Sequence, residues 1–82
     1  RISNILKSVI GWDLAATLVE LKPGEIKVGM RTRNEREYDL SRLAVALGGG
    51  GHRAAAGAEL YGMSLDEAKK LVVAKAKELY NL

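Results

Sequence analysis

Four consecutive glycines, Gly48 to Gly51, lead directly into His52 and Arg53, then into three alanines and a further glycine, Gly57. Residues without side chains add nothing to a core, and each ordered glycine costs roughly 0.5–1 kcal/mol relative to alanine. A folded chain keeps such a run where its backbone must approach something closely or adopt a conformation other residues avoid. A single glycine at Gly48 is explained as a helix stop. The next three need another cause. A flexible connector is the plain alternative. A cradle for an anion is the sharper one, because glycine amides can converge on a phosphate and a helical turn from His52 to Ala56 would add its own unpaired N–H groups. The run matches neither the dinucleotide fingerprint, whose third glycine is absent, nor the P-loop, since no Gly-Lys-Ser/Thr follows.

The chain is one small domain of 82 residues, too short for a cleft between domains of its own. Hydrophobic residues make up 48% and charged residues 28%, enough for a single core and too few polar residues for disorder. No apolar run approaches the roughly 18 residues of a membrane span. There is no cysteine, which excludes disulfides, thiolate metal sites and a thiol nucleophile. With Arg1 first and no signal-like segment, the expectation is a piece of a longer, cytoplasmic protein. A net charge of +3, with acids interspersed among the bases, favours anionic partners only mildly.

Local patterns predict an α+β single domain, a small mixed β-sheet with flanking helices. Ser3 to Val9 reads as a short helix with Ser3 or Asn4 as cap and Ile5, Leu6, Val9 and Ile10 apolar. Leu14, Ala16 and Leu18 alternate with Ala15, Thr17 and Val19, which suits a largely buried strand reaching Leu21. Lys22-Pro23-Gly24-Glu25 is a type II turn signal, which makes a hairpin with a second strand carrying Ile26, Val28 and Met30 on one face and Lys27, Gly29, Arg31 and Arg33 on the other. Asp39 caps a helix with Leu40, Leu43, Ala44 and Leu47 at helical spacing. Gly57 to Tyr61 forms a short strand with Ala58 and Leu60 inward. Ser64-Leu65-Asp66-Glu67 is a capping box opening a last helix whose apolar face is Leu65, Ala68, Leu71, Val72, Ala76 and Leu79.

Candidate chemistry is sparse. His52, the single histidine, can donate to a phosphate oxygen, but spacing fixes no carboxylate or nucleophile beside it. Arg31 can grip a phosphate in bidentate fashion or be a solvated basic strand edge, the reading preferred for Lys27 and Arg33. From spacing alone both remain open for Arg31. The acids are scattered, so no metal centre and no catalytic residue are assigned.

The block Gly48 to Gly57 closely resembles the signature of the DHH-associated domain, the C-terminal substrate-binding domain of phosphoesterases named for an Asp-His-His motif. Glu25 to Thr32 is similar to that family's strand ending in Arg-Ser, with Thr32 in the serine position, and Tyr38 to Ala44 is similar to its Val-Asp-Val-Ser helix start. The resemblance implies a division of labour: a two-manganese centre on an N-terminal Asp-His-His domain of the same parent chain, closed over by this domain. It implies that Arg31, Gly48, Gly49, Gly50, Gly51, His52 and, less specifically, Arg53 hold the phosphate of an oligonucleotide or nucleotide substrate. No cofactor is expected on this fragment, which lacks the Asp-His-His motif and should be inactive alone; Mn2+ belongs to the other domain. No membrane partner is expected, and a homodimer stays open. The short Gly-Gly-Gly-Gly-His form looks most like the oligoribonuclease and phosphoadenosine phosphatase branch. RecJ-type single-strand-specific exonucleases are the second choice. A nucleic-acid-binding module like that of alanyl-tRNA synthetase is the third, ahead of an interaction domain whose loop merely turns a corner.

Overall fold

β-Branched and leucine-rich alternation dominates the first half of the chain, and the computed structural model, which describes residues 4–9 and 13–81, turns it into a five-stranded sheet. The strands are β1 (Asn4–Val9), β2 (Leu14–Lys22), β3 (Glu25–Thr32), β4 (Gly50–Gly51) and β5 (Ala55–Tyr61), with helices α1 (Leu40–Ala46) and α2 (Leu65–Tyr80). Their order across the sheet is β1-β2-β3-β5-β4. The α+β class holds. Every pairing is antiparallel, so the sheet is not the mixed one expected. The reason is that α1 and β4 return the chain to the free edge of β3 running the opposite way.

Alternation places Leu14, Ala16, Leu18, Ile26, Val28 and Met30 on one face, each at most 2% exposed. Both helices cover that face. α1 contributes Leu40, Leu43 and Ala44 to the core, and α2 contributes Ala68, Val72 and Ala76. The capping box is present as read: the Ser64 hydroxyl accepts from the Glu67 amide and the Glu67 carboxylate accepts from the Ser64 amide. Gly24 at φ +81° occupies the third position of the β2–β3 turn, as a type II turn requires.

Two expected helices are strands or turns instead. Residues 4–9 form β1, paired with β2 from Asn4↔Glu20 to Val9↔Ala15. A short apolar run fits either period, and the unpaired edge of β2 decides in favour of a strand. Ser3 and Ile10, assigned to that helix as cap and apolar position, lie outside the described residues. The helical turn at His52 to Ala56 is also replaced. The His52 amide donates to the Ala55 carbonyl at 2.8 Å, closing a tight turn between β4 and β5, and β5 already begins at Ala55. Alanine's helix propensity is a small bias, outweighed here by pairing along β3.

Candidate functional site

The four glycines have separate causes. Leu47 ends α1, and beyond it the Gly48 amide donates to Val45 O at 3.0 Å and the Gly49 amide to Ala44 O at 2.7 Å, the paired bonds of a Schellman stop with Gly48 at φ +86°. Gly49 and Gly51 lie hard against β5: a Cβ on Gly49 would stand 2.7 Å from Ala58 Cα, and one on Gly51 would stand 2.5 Å from Ala56 Cα. Real Cβ atoms do not approach backbone so closely, so both positions require glycine. Gly50 has open space around it and no positive φ.

This layout revises the anion cradle. No helix starts at His52; the start of α1 lies beside the loop but its Leu40 amide is spent on the Arg53 carbonyl, and the amides of Gly48, Gly49 and His52 are likewise committed to internal carbonyls. Those three amides are thus not free to converge on an anion.

The ladder arranges the candidate side chains on the face of the sheet that carries no helix. Register aligns Thr17, Gly29, Gly57 and Gly50 in one cross-strand row, a trough with a single side chain. The adjacent row aligns Ala15, Arg31 and Ala55, and His52 stands opposite Ala55 through its backbone bond. The backbones of Arg31 and His52 are thus two strand spacings apart, roughly 10 Å, with only an alanine between them. The next row out holds Val19, Lys27 and Glu59. A recess of about 430 Å³ lies against Thr17, Gly29, Arg31 and Ala55, and another of about 670 Å³ against Lys27, Gly50, Gly57 and Tyr61. Arg31 and His52 are exposed, and among the described residues neither side chain has an ion-pair or hydrogen-bond partner.

Arg53 differs from its neighbours. Its Nε donates to Asp39 Oδ2 at 3.2 Å, and its carbonyl accepts from the Leu40 amide at 3.0 Å. Asp39 caps α1 by accepting the Ser41 amide at 3.1 Å and the Ser41 hydroxyl at 2.5 Å, both on Oδ1. The Ser41 hydroxyl, helped by Arg53 and the Ser41 amide and opposed by partial burial, holds the Asp39 carboxyl below the ordinary value of 3.8. Tyr80, stacked edge-on against Tyr38 with centroids 5.3 Å apart, donates its hydroxyl to Asp39 O at 2.7 Å. The sequence shows Asp39 only as a cap. Its partnership with Arg53, fourteen residues on, has no signal in the sequence.

The DHHA1 domain family model matches residues 1–79. The chain belongs to the DHHA1 family. No curated protein matches it. DHHA1 domains are parts of DHH-family phosphoesterases and accompany an N-terminal DHH domain in the same chain. In this DHHA1 domain the block from Gly48 to Gly57 forms the β4–β5 hairpin, and Arg31 lies on β3 beside β5. Among the described residues no three His, Asp or Glu side chains cluster so as to hold a cation. Nor is any described helix long and apolar enough to cross a membrane.

Proposed function

We propose that this DHHA1 domain is the substrate-holding half of a phosphoesterase cleft, gripping a phosphate of an oligonucleotide or nucleotide through Arg31 and His52. The observation that carries this reading is the Arg31 guanidinium, which among the described residues has no ion-pair or hydrogen-bond partner, beside a trough of glycines on the helix-free face. A guanidinium matches phosphate oxygens in bidentate geometry, and the low row Gly29, Gly57 and Gly50 leaves space for a sugar or base next to it. Of the loop glycines, Gly50 borders the ligand, while Gly48, Gly49 and Gly51 shape the hairpin that presents His52. The Asp-His-His domain of the parent chain forms the opposite wall, and manganese there supplies Lewis-acid activation of water and phosphoryl oxygen when bound. The 82 residues bind and orient; they carry no step of the hydrolysis.

Short oligonucleotides are the first substrate class. Lys27 and Arg33 extend the line of cations on the Arg31 side of β3, which favours as a second reading the longer single strands of a RecJ-type exonuclease. The deciding experiment uses the full-length protein with manganese and compares di- to pentanucleotides with long single strands. Arg31→Ala and His52→Ala should each lower turnover of the short substrates with little change in melting temperature. For Arg31 a lost charge-assisted bond predicts about tenfold to hundredfold. Unchanged turnover in both variants overturns the site, and affinity that climbs steadily with strand length selects the exonuclease reading.

A further inference from the structure

Arg53 stands beside His52 and carries a positive charge, yet its surroundings differ from those of Arg31. The tip of the β4–β5 hairpin is built from Gly50, Gly51, Ala54 and Ala55, with His52 and Arg53 as its two long side chains. β4 pairs over two residues only, and on the β3 side the ladder reaches as far as the Ala54 carbonyl, which accepts the Thr32 amide at 3.1 Å, so His52 and Arg53 lie beyond the pairing on both sides. Two further bonds join the tip to the start of α1: Arg53 Nε to Asp39 Oδ2, and the Leu40 amide to the Arg53 carbonyl. Asp39 is itself held twice, by Ser41 within α1 and by the Tyr80 hydroxyl from the end of α2.

We propose that Asp39 and Arg53 form a positioning pair, which ties the hairpin tip to the helix layer and so sets where His52 stands relative to Arg31. Arg53 acts through Asp39 and does not itself grip the phosphate. This rests on the phosphate-binding reading above for its consequence, though not for its geometry. The pair is exposed on the Arg53 side, with 65% of that side chain accessible, so it adds little to global stability. Its effect is on the precision of a short, otherwise featureless turn, and small displacements of a substrate-contacting group weaken binding and catalysis disproportionately.

The test uses the full-length protein and a 5′-phosphorylated trinucleotide as probe, with Asp39→Asn, Arg53→Ala, the double variant and Arg31→Ala. Asparagine keeps the helix cap and removes the charge that holds Arg53. Each single variant should weaken probe binding by roughly threefold to tenfold, and the double variant should be no worse than either. The salt dependence of binding should be unchanged by Arg53→Ala, while hydrogen exchange at the Leu40 and His52 amides should rise. A further loss on adding Arg53→Ala to Asp39→Asn, or a salt slope reduced by about one, would make Arg53 a phosphate ligand and overturn the proposal. Unaltered exchange at both amides would also overturn it. If Arg31→Ala leaves binding intact, the phosphate reading is what fails, and the exchange result alone then decides the positioning pair.

Discussion

Gly50 and Gly49 are neighbours with opposite demands. A methyl group on Gly49 would collide with the Gly57 carbonyl and with Ala58 of β5, backbone atoms that have no flexible end to move aside. Gly49→Ala is therefore expected to lower unfolding free energy by about 1–3 kcal/mol, as overpacking does. Gly51→Ala should be at least as costly, since φ +150° adds backbone strain to its contact with Ala56. Gly50 meets nothing within 4 Å, so Gly50→Ala should stay within about 0.5 kcal/mol of the parent in urea unfolding. If that variant still loses affinity for a phosphorylated trinucleotide, Gly50 is glycine for the ligand's sake. An unaltered affinity would confine the reason for the run to its packing. These differences between adjacent glycines were invisible in the sequence, because each depends on how far β5 lies from one atom that is not there.

Among the elements, the caps carry the clearest expectations. Ser64→Ala removes one half of the α2 capping box and should cost about 1 kcal/mol, seen as a lowered melting temperature with the core otherwise unchanged. At α1, the Asp39 carboxyl lies below 3.8 in the folded chain, chiefly through the Ser41 hydroxyl. A depressed acid stabilises the fold above its unfolded value and loses that contribution as pH falls through the folded one. The protection of the Leu40 amide relative to its intrinsic exchange rate should thus hold down to about pH 4 and fall below it, and Asp39→Asn should remove this dependence. Tyr80 behaves oppositely. Burial first, and then the Asp39 charge, raises its hydroxyl above 10.0. Its contribution is present below pH 10 and is lost as pH rises through the folded value, so Tyr80→Phe should flatten the alkaline limb of the stability curve.

As a whole molecule, the domain has a core on one face of one sheet, the face that both helices cover. So small a domain buries only about 60% of the surface of its unfolded chain, leaving little reserve against a core cavity. Leu18→Ala, at a side chain with no exposure in the middle of β2, should cost about 2–5 kcal/mol, enough to leave much of the domain unfolded near 37 °C by circular dichroism. Periodicity and caps already determined much of that core: Ile26 to Met30 by alternation, Leu40 to Leu47 and Ala68 to Ala76 by helical spacing, with Asp39, Gly24 and Ser64 as punctuation, whereas β2 reads as largely buried on both faces and only packing chose Leu14, Ala16 and Leu18 over Ala15, Thr17 and Val19. Those signals are local, because hydrogen bonds within turns and helix ends join residues a few positions apart. The block from Gly48 to Gly57 likewise identified the family. Tertiary structure decided the remainder. Residues 4–9 became a strand because β2 offered an edge, and the turn at His52 became a hairpin because β3 offered another. Arg53 found Asp39, fourteen residues away, and the trough of Thr17, Gly29, Gly57 and Gly50 came from register across four strands. Edges and registers belong to pairs of distant segments, and a one-dimensional pattern holds no record of which segment will satisfy which edge.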